Sequence, residues 1–345
     1  MDVVGTRVEA PKNSAYAAAR TLSDGQAKPA GALGRLEELG AWAASVQGFC
    51  PPRQFDDVRV DVFAGDHGVA ASGVSAYPAA ITAAMVRGIA AGKAGVSALA
   101  RINGVRVAVH DISVAVDFPD LPEVGRHKVR YSSGPIHLTD ATTVAEAQRA
   151  LAAGDAIAAA QIADGAQLLI AGDLGIGNTT VGAALIAASL GVPAAAVTGR
   201  GTGIDDDALA HKTAVIDAAL ARVGEHRLQD PVQLLAALGA ADFAAGVGYI
   251  AGAARRGVPV LVDGVIAAAE ALIAERYAPG TKAWLQAGHR STEPGQALAL
   301  DHLGLRPLVD FGMRLGEGSG AVLAVPMVRS AVAALTGIAQ LSDLA

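Results

Sequence analysis

The sequence predicts an α/β fold, in which a mostly parallel sheet is flanked by helices and a small helical domain is built from both termini. Short strand-like apolar runs alternate with longer helical patterns, as βαβ crossovers require. The chain is 52% hydrophobic and 17% charged, which supplies a large core and excludes general disorder. Its aromatic content is only 4%, so packing must depend on small aliphatic side chains between helices and sheet.

The elements follow from the hydrophobic pattern. Residues 1–55 are predicted to be helical, because Leu33, Leu36, Leu39 and Trp42 recur at helical spacing. The later segments are predicted as strand 58–63, helix 79–102, strand 105–109, helix 143–163, strand 167–171, helix 179–190, strand 194–197, helix 206–222, helix 232–255, strand 258–262, helix 265–276, strand 282–286 and helix 320–335. We therefore expect an α/β domain over residues 56–312, and a small helical domain formed by residues 1–55 together with 313–345.

Charge and cysteine content exclude several protein classes. A net charge of -6 argues against a nucleic-acid partner. Cys50 is the single cysteine, which excludes an intramolecular disulfide or a Cys-rich metal site and suits a reducing compartment. The uncharged run 181–198 is interrupted by Gly191 and Pro193, so it is predicted to be helix, turn and strand, not a membrane span. With no secretory signal pattern at the N-terminus, we expect a cytoplasmic protein with no membrane partner.

Nearly every predicted strand ends in a turn that carries glycine and a polar residue. These turns are 65–68, 172–173, 263–264 and 288–291. Because ligands of open α/β sheets bind beyond the carboxyl ends of the strands, we expect the turns to line one mouth.

The turn 172–180 has the features of a phosphate site. It follows a strand and opens a helix, Gly175 and Gly177 permit close approach of a ligand, and backbone N–H groups at residues 178–180 attract an anion. It is not a Walker A loop, since no Gly-Lys-Ser/Thr follows, and it lacks the third glycine of the dinucleotide fingerprint. A tight turn with a threonine N-cap would leave the same pattern.

Two further glycine motifs have different interpretations. The loop 199–203 precedes three aspartates that suit a helix N-terminus, and Lys212 beyond them either reaches a phosphate or is simply solvated. The run 246–251 matches GxGxxA, but it lies inside a helical pattern with no preceding strand. We interpret its small residues as helix-packing positions.

Glu317 is the candidate general base. It has glycine on both sides and stands before an apolar helix, a setting that raises the pKa of a carboxyl group and fits it for proton transfer near neutral pH. A first-turn glutamate favoured by the helix dipole is the alternative. His67 and His289 also follow strands, but no histidine pair has metal-ligand spacing, so we expect neither a metal nor a cofactor.

Several long motifs, in order, resemble a known enzyme family. They are Asp66-His-Gly-Val69, Gly73-Val-Ser-Ala-Tyr-Pro78, Thr82, Met85, Gly175-Ile-Gly-Asn-Thr-Thr180, Gly199-Arg-Gly-Thr-Gly203, His289-x-Ser-x-Glu293 and Leu315-Gly-Glu-Gly-Ser-Gly320. The chain resembles the nicotinate-nucleotide–dimethylbenzimidazole phosphoribosyltransferases of cobalamin nucleotide-loop biosynthesis, from Lys28 to the final helix.

The resemblance implies a Rossmann-like domain, a homodimer, and transfer of 5-phosphoribosyl from nicotinate mononucleotide to a benzimidazole-type base. It makes Glu317 the catalytic base and implies three further groups of residues. The phosphate and nucleotide group is Gly175, Gly177, Asn178, Thr179, Thr180, Gly201, Gly203, Lys212 and Ser291; the acceptor-base pocket is Ser75, Tyr77, Ala84, Met85 and Leu315; and the supporting carboxylates are Asp173 and Asp263.

Three positions depart from the family pattern. Ala84 stands where glutamine is usual, Asp173 where glutamate is usual, and Ala32 where serine is usual. The change at Ala84 leaves open another acceptor, such as adenine, a different benzimidazole or a phenol. A non-catalytic nucleotide sensor on the same scaffold is the alternative from another class, and an NAD-dependent oxidoreductase lacks the strand–GxGxxG–helix unit it would need.

Overall fold

The computed structural model describes residues 6–344, and seven strands lie within them. They are β1 (Val58–Gly65), β2 (Val105–Ser113), β3 (Leu168–Leu174), β4 (Val260–Val262), β5 (Leu285–Ala287), β6 (His289–Ser291) and β7 (Val309–Met313). The first five form one sheet in the order β2-β1-β3-β4-β5, with every neighbouring pair parallel. The predicted parallel sheet is confirmed, while the small parallel pair of β6 and β7 was not predicted.

Helices cover both faces of the sheet and form the terminal segments. Those in the described residues are α1 (Asn13–Asp24), α2 (Arg35–Gln47), α3 (Ile81–Ala90), α4 (Gly95–Ile102), α5 (Val144–Ala163), α6 (Asn178–Leu190), α7 (Ala194–Val197), α8 (Asp206–Val223), α9 (Glu225–Gln229), α10 (Pro231–Leu234), α11 (Ala240–Arg255), α12 (Val265–Tyr277), α13 (Pro294–Leu303) and α14 (Ser319–Gly337).

Several predicted elements were wrong in type or extent. Residues 194–197 form the short helix α7 where a strand was predicted, because three of the four are alanine, the strongest helix former. The predicted helix 79–102 is two helices, α3 and α4, separated at Gly92 with φ +69°. Residues 281–284 form a 3₁₀ turn, so the last strand of the sheet begins at Leu285.

The predicted helix 232–255 is broken in the middle. A π-helical turn spans Leu235–Gly239, and Ala240 then takes φ 68° and ψ 169°, a region that costs a non-glycine residue about 1–3 kcal/mol. The helix restarts there as α11, which places Asp242 in its first turn. A continuous helix would have turned that carboxylate in a different direction.

The rest of α11 is a buried core helix. A Cβ on Gly248 would overlap the backbone of Leu151, so the missing side chain lets α11 lie close against α5. This supports the interpretation of 246–251 as a packing motif. The run Pro231–Arg255, like α14, is long and apolar enough to cross a membrane by composition alone, yet it is wholly buried within the fold.

The terminal helices pack together around a small apolar cluster. It joins Ala15 and Ala19 of α1, Ala41 and Ala44 of α2, and Leu335 of α14. Because α14 also packs against α4, the terminal helices are in contact with the sheet domain. The division into residues 56–312 and a terminal helical domain therefore stays a prediction.

Candidate active site

A cavity of about 490 Å³ lies beyond the carboxyl ends of β3 and β4, a volume typical of small-molecule sites. The turns after β3, β4 and β7 contribute to its wall. Of the residues singled out in the sequence, it is lined by Tyr77, Asp173, Gly175, Asn178, Thr179, Gly201, Asp263, Ser291, Leu315 and Glu317. The turn 65–68 does not line the cavity; it lies behind Gly175.

The loop between β3 and α6 holds a tight, glycine-dependent shape. Gly177 is the N-cap of α6 with φ 93°, so glycine and not threonine caps this helix. Ile176 donates its backbone N–H to the Thr82 hydroxyl at 3.2 Å, and the Asn178 side-chain amide donates to Asp173 at 2.7 Å. These bonds fix the loop, which we call the phosphate loop (residues 175–177), before any ligand binds.

The structure corrects one detail of the predicted anion site. The N–H groups of Asn178 and Thr180 donate to the carbonyls of Gly175 and Gly177 at 3.2 and 3.0 Å. These two donors are therefore already engaged, and the anion-binding property of the helix start depends on the remaining N–H groups and the helix dipole.

Lys212 is a buried cation beneath the site and not a solvated lysine. Its side chain is fully buried, and Nζ donates to the Thr179 hydroxyl and to the Gly199 carbonyl, both at 2.9 Å. Burial lowers the pKa of Lys212 to about 8, although the Glu293 carboxylate acts in the opposite direction. Lys212 therefore joins α8 to both glycine loops.

Glu293 fixes the second glycine loop. Its carboxylate accepts the N–H of Gly201 at 2.8 Å, and any side chain on Gly199 would collide with it. The sequence placed Glu293 in a polar motif but gave it no role, because spacing along the chain does not show that α13 meets the loop 199–203.

Glu317 lies in a strained, buried turn. Its own φ is 63°, and its neighbours Gly316 and Gly318 have φ 85° and 84°. The residue is 3% exposed, and Oε2 accepts the N–H of Val96 at 3.1 Å. Burial raises the pKa of Glu317, with the Val96 hydrogen bond acting against it. This is the environment expected of a general base.

Asp263 supports this turn from below. Its two carboxylate oxygens accept the N–H groups of Gly318 at 3.2 Å and Ala321 at 2.8 Å. Burial raises the pKa of Asp263, and the nearby His289 partly offsets this. Since both donors belong to the start of α14, Asp263 caps that helix and holds the turn that presents Glu317.

Asp173 has a strongly altered acidity. Burial and the Asp242 carboxylate raise its pKa to about 8, against the effects of His67 and Asn178. Asp173 also accepts the Glu317 backbone N–H at 3.3 Å through its carbonyl. The backbone thus joins two of the carboxyl residues that line the cavity, Asp173 and Glu317.

The residues of the expected acceptor pocket are more dispersed. Tyr77 and Leu315 lie at the rim, 56% and 54% exposed, and the Ser75 hydroxyl lies 3.1 Å from that of Thr202. Ala84 is exposed on α3, and Met85 packs towards the core. The predicted site residues that do not line the cavity are Ser75, Ala84, Met85, Gly177, Thr180, Gly203 and Lys212.

Arg314 was missed. Its guanidinium donates to the Gly201 carbonyl and lines the cavity. It directly precedes the Leu315–Gly320 motif, but only the fold shows that it crosses to the loop 199–203.

Within residues 6–344, no three or more His, Cys, Asp or Glu side chains are grouped to hold a metal. That the protein needs no metal stays a prediction.

Comparisons with known proteins agree with this geometry. A family described as Phosphoribosyltransferase matches residues 8–344. The nicotinate-nucleotide–dimethylbenzimidazole phosphoribosyltransferase of Mycolicibacterium paratuberculosis is 54% identical over 96% of this chain and 95% of its own length. The protein of that name from Mycobacterium tuberculosis is 54% identical over 97% and 92%. The crystal structure of CobT from Thermus thermophilus superposes with a TM-score of 0.92, at 41% identity over 96% of this chain and 98% of that one.

Proposed function

This chain belongs to the phosphoribosyltransferase family, and we propose that it transfers 5-phosphoribosyl from nicotinate mononucleotide to 5,6-dimethylbenzimidazole. The products are α-ribazole 5′-phosphate and nicotinate, in the nucleotide-loop branch of cobalamin biosynthesis. One observation carries the proposal: the buried carboxylate of Glu317 shares a single cavity with the N-terminal turn of α6.

The phosphate of the donor binds at the phosphate loop and the Thr179 turn. The helix N-terminus favours an anion there, and the Lys212 ammonium, held against the Thr179 hydroxyl at 2.9 Å, adds positive charge from below. Gly201 and Ser291 complete the wall beside it. The reaction therefore begins with the ribose anchored by its phosphate.

The bond to be broken joins C1′ of the ribose to the pyridinium nitrogen. Its electron pair returns to the ring nitrogen, so nicotinate leaves without protonation, and C1′ becomes oxocarbenium-like. One nitrogen of the benzimidazole forms the new C–N bond with inversion. The proton on its other nitrogen passes to the Glu317 carboxylate, whose raised pKa suits a base near neutral pH.

Ala84 gives a reason to consider a second acceptor. It lacks the amide of the glutamine that the family pattern places there, and its side chain is exposed on α3. The same donor with adenine, another benzimidazole or a phenol as acceptor is therefore the second candidate function.

We also propose a homodimer in the cytoplasm. Phe311 and Leu315 beside the cavity are 71% and 54% exposed, and a second copy would cover such apolar groups. Light scattering should give twice the 34.4 kDa of one chain; a monomer at micromolar concentration contradicts the dimer.

Cell fractionation tests the cytoplasmic location, which the free thiol of Cys50 favours.

A turnover assay tests the activity. Purified protein is mixed with nicotinate mononucleotide and each acceptor without added metal, and released nicotinate is followed by chromatography. Product with dimethylbenzimidazole supports the proposal, and product only with another base supports the second candidate. A folded protein that binds the nucleotide but releases no nicotinate with any acceptor contradicts both and indicates a sensor.

A further inference from the structure

A buried ion pair lies directly beneath the phosphate loop. His67 Nε2 is 3.0 Å from Asp242 Oδ2, and both side chains are wholly buried. Neither residue lines the cavity, so neither can touch substrate, and the mechanism above gives them no role.

The segment that carries His67 supports the loop through close contacts. A Cβ on Gly175 would lie 2.7 Å from His67 Nε2 and would overlap the Gly65 carbonyl, while one on Gly177 would lie 3.3 Å from the Ala70 side chain. The imidazole nitrogen that faces Asp242 therefore also faces the first glycine of the loop. The ring therefore packs closely against Gly175.

The backbone is strained close to Asp242, where it brings this side chain next to His67. The break at Ala240, with φ 68° and ψ 169°, restarts the helix two residues before Asp242. The adjacent Phe243 packs edge-on against the imidazole, with ring centroids 5.9 Å apart at 77°. Strain of this kind persists where surrounding structure requires it, commonly near functional sites.

Several charged groups face the imidazole from neighbouring elements. They are Asp242 on α11, Asp173 at the end of β3, and Asp66, which directly precedes His67 in the chain. Glu270 on α12 in turn faces Asp173 and Asp242. Burial alone would lower the pKa of His67, but the three aspartates raise it above its usual value. The surrounding carboxylates therefore favour the protonated, positively charged form of the ring.

We propose that His67 and Asp242 are positioning residues for the donor phosphate: the paired imidazolium fixes Gly175 and places positive charge beneath the phosphate loop. This inference rests on the proposed function, because it assumes that the loop holds the phosphate of nicotinate mononucleotide.

The test compares His67→Gln and Asp242→Asn with the wild type. Loss of a buried charge-assisted contact should raise KM and the calorimetric Kd for nicotinate mononucleotide about 10- to 100-fold, with kcat within about threefold and KM for the acceptor unchanged. His302→Gln, an exposed histidine on α13, is the matched control and should behave as wild type.

A pH series separates this role from a purely structural one. In Asp242→Asn the imidazole loses its main partner and becomes neutral at lower pH, so the KM increase relative to wild type should grow between pH 6 and pH 8. His67→Gln has no imidazole to titrate, so its increase should not grow over this range. If His67→Gln does not fold, Asp242→Asn carries the test through this pH dependence.

The outcomes distinguish the inference from the proposed function. A wild type that neither binds the nucleotide nor releases nicotinate defeats the proposed function itself. An active wild type whose variants keep its KM for the nucleotide overturns the inference alone. A loss confined to kcat, or an equal KM increase at both pH values in Asp242→Asn, also overturns it.

Discussion

The carboxylate of Glu317 lies at the amino end of α4, where it accepts the backbone N–H of Val96 at 3.1 Å. A helix N-terminus stabilises an anion, whereas burial destabilises it. Burial is the larger effect, so the pKa of Glu317 is raised. The contact holds the proposed base in place while its pKa stays raised.

Replacement of that base should greatly slow turnover. Glu317→Gln keeps the shape and a hydrogen-bond acceptor for Val96 but cannot take a proton, so kcat should fall on the order of 10²–10⁴-fold. The Kd for nicotinate mononucleotide should change little, which calorimetry would check. A variant that keeps wild-type turnover would remove Glu317 from the mechanism. In the wild type, kcat should fall as pH drops through the raised pKa.

Binding of the donor should weaken above pH 8. The pKa of Lys212 is about 8, so its ammonium is charged below that pH and neutral above it, while the phosphate, with a second pKa of about 6, stays dianionic. The KM for nicotinate mononucleotide should therefore be flat between pH 6.5 and 7.5 and rise by up to about tenfold per pH unit above 8.

Lys212→Met is the control for this dependence. Its KM should be high at every pH, and any slope that remains would report Asp173, whose pKa is also raised to about 8. A wild-type KM that stays constant up to pH 9.5 would show that the Lys212 charge does not contribute to binding.

Replacing the Glu270 carboxyl group by a neutral amide should stabilise the folded protein. Its carboxyl group is wholly buried, and neither oxygen has a hydrogen-bond partner in the described residues. The carboxyl group occupies the space that a side chain on Gly246 would fill. Burial and the carboxylates of Asp173, Asp242 and Asp263 raise its pKa well above the usual value. The folded state therefore keeps a proton that the unfolded state releases.

The pH dependence of folding stability follows from this difference in proton binding. As pH rises above about 4.5, the unfolded chain loses the proton first, so the contribution of Glu270 to stability falls by up to about 1.4 kcal/mol per pH unit. Glu270→Gln should match wild type near pH 4 and exceed it in free energy of unfolding by a margin that grows from pH 5 to pH 7. Urea unfolding at each pH measures this. Exposed Glu225→Gln should leave the pH dependence as it is, and an equal gap at pH 5 and pH 7 would contradict the prediction.

Acceptor preference should respond to position 84. If α3 reaches the acceptor, Ala84→Gln restores an amide beside the base, and the ratio of kcat/KM for dimethylbenzimidazole over adenine should rise several-fold. Competition assays with both bases would measure it, with Ala83→Gln on the preceding position as the control. Unchanged ratios would show that Ala84 does not contact the acceptor.

The elements with a clear pattern could be predicted from sequence. The strands at 58–63 and 105–109 alternate or run apolar, and both were found, as were the terminal helices. The run 194–197 was mistaken for a strand because a short apolar segment bounded by Pro193 and Gly199 fits either structure, and the alanine propensity decided it. The break at Ala240 was not predicted, because Gly239 is the one interruption in a run of alanine and leucine that otherwise continues the helical pattern.

The sequence by itself determined the parallel α/β architecture, the glycine-dependent turn after β3 and the isolated carboxylate of Glu317. Each depends on local properties: the hydrophobic period, the conformational freedom of glycine and the position of a turn after a strand. Only the tertiary structure decided that Lys212 is a buried cation, that Glu293 and Arg314 hold the loop 199–203, and that Asp242 pairs with His67. These contacts join residues far apart in the chain, and the pKa of each group depends on burial and on neighbours that only the packed fold brings together.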